Sequence, residues 1–158
     1  MRVHAGFGYD SHRFKKGRKF ILGGVEIPHP KGLDGHSDAD AVVHAVIDAL
    51  LGAAALGDIG EHFPDSDPRY KGVDSLKLLA ETRRLLGRRW DVVNVDVTVL
   101  AEVPKLGPYK NRMRAKLARV LGISVDVVNV KAKTNEGMGF VGKKEGVAVF
   151  AAASIEKK

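Results

Sequence analysis

The sequence predicts an α/β (α+β) fold, a two-layer sandwich in which a mixed sheet carries its helices on one face. Three observations predict it. Segments that alternate polar and apolar residues, Val3–Tyr9 and Asp91–Ala101 among them, have the period of strands. Segments with helical periodicity lie between them, so that strand and helix follow one another along the chain. One helical segment, within Gly32 to Pro68, is apolar almost all round and belongs in a core.

Val3–Tyr9 reads as a strand, and Asp10-Ser11-His12 follows at once. If the extended conformation persists, Asp10 and His12 project to one face, because side chains alternate along a strand. Lys19–Ile27 contains two short strand segments around Gly23-Gly24, a hairpin or bulge. A Pro/Gly loop leads to the central helix, from about Asp38 to Leu56. Ser37 suits its N-cap, with Asp40 completing a capping box. Asp40, His44 and Asp48 recur every four residues and form one polar stripe. Gly57 is a stop signal, and Asp58–Pro68 is a turn-rich loop. Asp74–Leu86 is a second helix with Leu76, Leu79 and Leu86 on its apolar stripe. The strand Asp91–Ala101 follows, then a rigid loop bracketed by Pro104 and Pro108. Tyr109–Leu121 is a third helix, with Tyr109, Met113, Leu117, Val120 and Leu121 on one face. Val125–Thr134 is a strand, Asn135–Lys144 a glycine-rich loop and Gly146–Ile155 a last strand.

The 158 residues are expected to form a single domain, 1–158, long enough to bury a substantial core. No apolar run reaches membrane-spanning length without interruption, and the N-terminus lacks the order of a signal peptide. With no cysteine, disulfides and thiolate metal sites are excluded, so any metal sits on His, Asp or Glu. These features lead us to expect a cytoplasmic protein. The net charge of +7 invites a nucleic-acid reading. The basic residues are dispersed, however, and no nucleic-acid motif accompanies them, so neither nucleic acid nor membrane is expected as a partner.

Asp10, His12 and His44 offer one oxygen and two nitrogen ligands, the set of a catalytic zinc with a fourth position open. A carboxylate one turn from His44, Asp40 or Asp48, could orient it. Taken singly, Asp40 reads as a capping residue and His44 as a hydrogen-bonded core histidine; the second cluster near the N-terminus turns the reading towards metal. Near the other end, Glu136 in the loop after Lys133-Thr134 could hold a hard cation such as Mg²⁺. Lys105, Lys133 and Lys143 could neutralise phosphate charge, and the glycines let backbone approach it.

Five stretches then carry a resemblance: GFGYDSHRF (6–14), LGGVEIP (22–28), the segment from His36 to Gly72, NVDVTVLAEVPKL (94–106) and VNVKAKTNEGMGFVGKKEGVAV (128–149). In that order they are similar to the 2-C-methyl-D-erythritol 2,4-cyclodiphosphate synthase family of non-mevalonate isoprenoid biosynthesis. The resemblance implies Zn²⁺ on Asp10, His12 and His44, and Mg²⁺ or Mn²⁺ on Glu136. It implies that His36 and Ser37 hold the substrate's 2-phosphate, and that Asp58, Gly60, Phe63 and Asp65 surround its erythritol part. Ala101, Pro104, Lys105, Leu106, Lys133 and Thr134 would line the nucleotide pocket, with Phe140 and Lys143 beside it. Lys105 would join the metal ligands among the catalytic residues. The substrate would be a cytidine diphosphate derivative, and the assembly a homotrimer with active sites between subunits.

Three positions depart from the family pattern: Lys133 stands where threonine is commoner, Lys143 where arginine is common, and Ala39 where glycine is usual. Lys143 keeps the charge but loses a bidentate fork. Two rival classes use some of the same residues. A two-metal nucleotide phosphohydrolase would activate a water, and a basic nucleic-acid-binding module would show steep salt dependence and need no metal.

Overall fold

The computed structural model describes residues 2–158. Alternation along β5 (Trp90–Leu100) shows how the sequence builds the sheet. Val92, Val95, Val97 and Val99 are buried on one face, while Asn94, Asp96 and Thr98 lie on the other. β1 (Val3–Lys16) and β7 (Gly146–Lys157) pair antiparallel along most of their lengths, and β7 pairs antiparallel with β5. β6 (Val128–Lys133) runs parallel to β5, and β4 (Lys31–Leu33) closes the opposite edge against β1. The result is a five-stranded mixed sheet of order β4-β1-β7-β5-β6. β2 (Ile21–Leu22) and β3 (Val25–Glu26) form a separate small hairpin.

The central helix α1 (Ala41–Ala53) packs against β1 and β7. Ten of its residues are buried, which explains why it is apolar outside the narrow stripe of His44 and Asp48. α3 (Ser75–Leu86) packs against α1, and α4 (Lys110–Leu121) packs against α3 and β6. The other sheet face is left without helices. There Val3, Phe7 and Tyr9 are 57%, 65% and 47% exposed, and both aromatic rings cluster with Phe150.

The approach of α1 to β1 depends on two glycines. A Cβ at Gly6 or Gly8 would overlap the carbonyl oxygens of Ala49 and Ala45. No larger residue lets the helix backbone lie this close to the strand.

Several local expectations are corrected. β1 continues past Tyr9 to Lys16, so Asp10 and His12 are within a strand and share a face. α1 is shorter than Asp38–Leu56, and its N-cap is Asp40, not Ser37. Asp40 accepts from Val43 N–H and also from Gly23 and Gly24 N–H, so it ties the small hairpin to the helix. Burial, aided by the charge of Asp38, raises its carboxyl pKa to about 6 despite these donors. The Pro/Gly loop contributes β4. The loop 58–68 contains a helical turn, α2 (Ile59–His62), and 135–144 contains another, α5 (Gly139–Gly142). Val125–Val127 is a 3₁₀ turn that precedes β6. Ala39, where glycine is the usual residue, has φ of +59° and is fully buried, which accounts for that usage.

Two glycine substitutions should separate close packing from helix propensity. Gly8→Ala is expected to cost about 1–3 kcal/mol by overpacking against α1. Gly52→Ala, at an exposed α1 position with open space around it, should stabilise by about 0.5–1 kcal/mol. Chemical denaturation of both variants measures this, and similar effects at the two sites would refute the packing constraint.

Candidate metal centre

Asp10 and His12 are adjacent on the helix-facing side of β1, in the same row of alternate residues as Gly6 and Gly8. His44 lies in the first turn of α1, directly before Ala45, whose carbonyl sits over Gly8. The glycine contact therefore brings the imidazole down onto the strand pair. His12 Nε2 lies 2.8 Å from Asp10 Oδ2 and 3.3 Å from His44 Nδ1, and His44 Nδ1 lies 3.1 Å from Asp10 Oδ2. Three donor atoms separated by about 3 Å outline one face of a tetrahedron, since ligands at zinc bond lengths lie about 3.3 Å apart. The donor set thus fits a divalent ion of zinc type, and it is the one such group of histidine and acidic residues among the described residues.

The far nitrogens are also engaged. His12 Nδ1 donates to the carbonyl of Asp34 at 2.6 Å, which leaves Nε2 for the centre. His44 Nε2 lies 2.8 Å from Ser75 Oγ and 3.1 Å from Ser37 Oγ. Neither proposed carboxylate orienter of His44 serves that purpose. Asp40 is used up by the cap and hairpin, and Asp48 accepts from Ile59 N–H at 2.7 Å. The four-residue stripe on α1 is real, but its members have separate partners.

A pocket of about 360 Å³ opens beside the triad. His36, Ser37, Gly60, Phe63 and Asp65 line it together with Asp10, His12 and His44. Asp58 is next to this group and caps α2 through Glu61 N–H. A second pocket of about 330 Å³ is lined by Ala101, Pro104, Lys105, Leu106, Lys133 and Thr134. Each half of the sequence-derived site is thus assembled, but the halves are apart. Asp10 pairs with Val149, Val149 with Val99 and Val99 with Ala132, so the two lie three strand spacings, about 14 Å, across the sheet.

Glu136 does not join the triad. It is exposed, has φ of +52° and accepts from Thr134 Oγ1 at 3.2 Å. Phe140 borders a small cavity with Ser11 and Arg13, and Lys143 is exposed at the end of α5. A larger groove, about 630 Å³, lies between Arg18, Lys19, Arg112 and Lys116 and contains no triad of donors.

Sequence reasoning missed four supporting residues. Arg18 donates to the carbonyls of Leu33 and Ser37 and straps the 33–37 loop under the pocket. Glu102 Oε1 accepts from Asn135 and Gly137 N–H and joins the two arms around the second pocket. Ser75 and Asp38 complete the list. Asp74-Ser75 is legible as a helix start, but nothing in its spacing points to His44.

Burial opposes charge on Asp10 and His12, yet their mutual hydrogen bonding prevails. The Asp10 carboxyl is held below its ordinary 3.8, with His12 and His44 as partners, and His12 is held above its ordinary 6.5 by Asp10. The Asp10 contribution to stability is present above pH 3.8 and lost as pH falls through its lowered pKa. The His12 contribution is present below pH 6.5 and lost as pH rises through its raised pKa. In metal-free protein, Asp10→Ala should therefore destabilise more at pH 5 than at pH 8. Denaturation midpoints at the two pH values test this, and an equal loss would contradict the charged pair. Metal must displace the His12 proton, so its affinity should weaken with acidification across the same range.

Comparison with known proteins adds a separate finding. Residues 3–156 match the model of the YgbB family. A 2-C-methyl-D-erythritol 2,4-cyclodiphosphate synthase of Syntrophomonas wolfei is 56% identical over 158 residues, covering 99% of both chains. A solved 2C-methyl-D-erythritol-2,4-cyclodiphosphate synthase in a CDP-bound form superposes with a TM-score of 0.87, at 38% identity, over 98% of this chain and all of that one. The bifunctional IspDF of Campylobacter jejuni superposes with a TM-score of 0.95 at 39% identity over 99% of this chain, which spans 43% of that longer one.

Proposed function

This chain belongs to the YgbB family, and we propose that it acts as a 2-C-methyl-D-erythritol 2,4-cyclodiphosphate synthase. It is a phosphorus–oxygen lyase of isoprenoid biosynthesis that converts 4-diphosphocytidyl-2-C-methyl-D-erythritol 2-phosphate to the 2,4-cyclodiphosphate with release of CMP. The carrying observation is the Asp10–His12–His44 donor triangle, set in a chain that matches such synthases along nearly its whole length. The likeness favours this reading over a nucleotide phosphohydrolase.

An oxygen of the 2-phosphate attacks the β-phosphorus of the diphosphate. A new P–O bond closes the ring, and the bond to the α-phosphate bridge breaks, with the electron pair leaving on CMP. The nucleophile is already an anion, so the chain need not supply a strong base. Its task is to bring two anions together in line. His36 and Ser37 would hold the 2-phosphate beside the triad, and Asp58, Gly60, Phe63 and Asp65 would enclose the erythritol. Lys105 and Lys133 would balance nucleotide charge in the second pocket, where Ala101, Pro104, Leu106 and Thr134 form the walls and Phe140 and Lys143 stand nearby. Asp10, His12 and His44 would hold Zn²⁺, and Glu136 a second ion, Mg²⁺ or Mn²⁺. Such cations polarise the attacked phosphate and neutralise leaving-group charge.

The reading extends to a single catalytic domain over residues 1–158, cytoplasmic, and working as a homotrimer with active sites between subunits. Two observations support the assembly. The apolar sheet face carrying Val3, Phe7 and Tyr9 is uncovered in one chain, as a face buried by oligomerisation would be. The triad pocket and the lysine pocket also lie on separate strands of the same sheet, so a neighbour could complete each site. No helix among the described residues is long and apolar enough to cross a membrane.

Incubation with the cytidine substrate, Zn²⁺ and Mg²⁺ should yield CMP and a cyclic diphosphate, followed by phosphorus NMR. Release of inorganic phosphate instead would support the hydrolase. His44→Ala should reduce bound zinc to trace levels and lower turnover at least about a thousandfold while the protein stays folded. Stoichiometric zinc in that variant would remove His44 from the ligand set.

The shared site has its own test. His44→Ala and Lys105→Ala should each be inactive alone. Unfolded together and refolded as a mixture, they should regain about a quarter of wild-type activity, because each side of an interface is intact about half the time. No recovery, with mixed oligomers verified, would place the whole site within one subunit.

A further inference from the structure

His44 can offer Nδ1 to a metal only when its other proton is on Nε2, whereas Asp10 Oδ2, 3.1 Å from Nδ1, favours a proton on Nδ1 while no metal is bound, so the metal-binding tautomer needs a reason. The residues around Nε2 supply the reason. Ser37 Oγ, 3.1 Å away, accepts from Ala39 N–H, but its own hydrogen can turn either way. It does not select a tautomer. Ser75 Oγ, 2.8 Å away and fully buried, has no such freedom, because it hydrogen-bonds to Asp38 Oδ1. A carboxylate can only accept, so the Ser75 hydroxyl must donate to Asp38. The Ser75 oxygen then presents lone pairs to His44, and Nε2 must be the donor.

Asp38 is itself fixed in this orientation. Its Oδ1 also accepts from Asp40 N–H at 3.1 Å, and its Oδ2 accepts from Ser75 N–H at 3.1 Å. Both oxygens face donors, so neither can become a donor without an unfavourable contact. We propose that Asp38 and Ser75 are positioning residues whose directed hydrogen-bond chain locks His44 in the Nε2–H tautomer and aims its Nδ1 lone pair at the metal. The inference rests on the reading of His44 as a ligand and adds two residues from outside the triad.

His12 acquires the corresponding direction by a simpler route, from the Asp34 carbonyl, which can only accept. That contact is independent of Ser75 and makes His12 an internal reference. Replacing Ser75 by Ala removes the acceptor. Replacing Asp38 by Ala removes the acceptor that orients the Ser75 hydroxyl. That hydroxyl is then free to donate to His44 Nε2, which favours the opposite tautomer.

The test is ¹⁵N–¹H correlation spectroscopy of ¹⁵N-histidine-labelled, metal-free protein at pH 8, with zinc affinity measured separately by chelator competition. Wild type should show His44 as the Nε2–H form. Ser75→Ala and Asp38→Ala should shift it towards the Nδ1–H form, leave the His12 tautomer unchanged, and bind zinc about 10–100-fold more weakly. The Asp38 variant decides the matter should Ser75→Ala fail to fold. Unchanged His44 tautomer in folded variants would overturn the proposal even if affinity fell, since packing alone would then explain the loss. A tautomer shift with wild-type zinc affinity would overturn it as well. Either outcome leaves His44 as a ligand; zinc retained by His44→Ala would instead remove the reading on which the proposal stands.

Discussion

The contact on which the structure depends is the approach of α1 to β1 over two residues without side chains. Gly6 and Gly8 allow the carbonyls of Ala49 and Ala45 to lie against the strand. Glycine inside a strand weakens it by about 0.5–1 kcal/mol relative to alanine, so the pair is a local cost. The return is geometric and hydrophobic. α1 buries ten residues, and His44, one position before Ala45, reaches Asp10 and His12 with its nitrogen about 3 Å from both. A larger residue at Gly8 would displace the helix and widen this triangle.

Carboxylates around the triad are satisfied by the backbone, which makes the site rigid before any ligand arrives. Asp40 receives three N–H groups, and Asp38 receives two as well as a hydroxyl. Arg18 fixes the loop that carries His36 and Ser37 from the opposite side. Buried side-chain polar atoms without a partner are absent among the described residues. Unpaired polar groups at this depth would cost about 1–3 kcal/mol each. The network therefore confines Asp10, His12 and His44 to one arrangement.

The sheet has a division of labour between its edges. Next to β4, β1 carries Asp10 and His12, while the far pair β5 and β6 ends in the loops that carry Lys105, Lys133 and Thr134. Glu102 joins those loops through Asn135 and Gly137, so the second pocket has a staple of its own. The helix-free face between them carries Phe7, Tyr9 and Phe150.

The sequence by itself determined the α/β class, most strands and helices, and Asp10, His12 and His44 as a candidate donor set, whereas most of the pocket residues were legible only through the family resemblance. The elements and the donor set follow from short-range rules: period two or 3.6 in the apolar residues, and the chemistry of Asp and His. Local periodicity could not assign partners. Asp40 and Asp48, correctly placed on the stripe with His44, turn to Gly23, Gly24 and Ile59, residues distant in sequence. The cap moved from Ser37 to Asp40 because a buried carboxylate can hold the helix and the hairpin together. Ser75 reaches His44 across 31 residues because α3 packs on α1, a contact no sequence spacing encodes. Tertiary structure alone decided these pairings, since a hydrogen bond is won by whichever donor and acceptor packing brings within 3 Å.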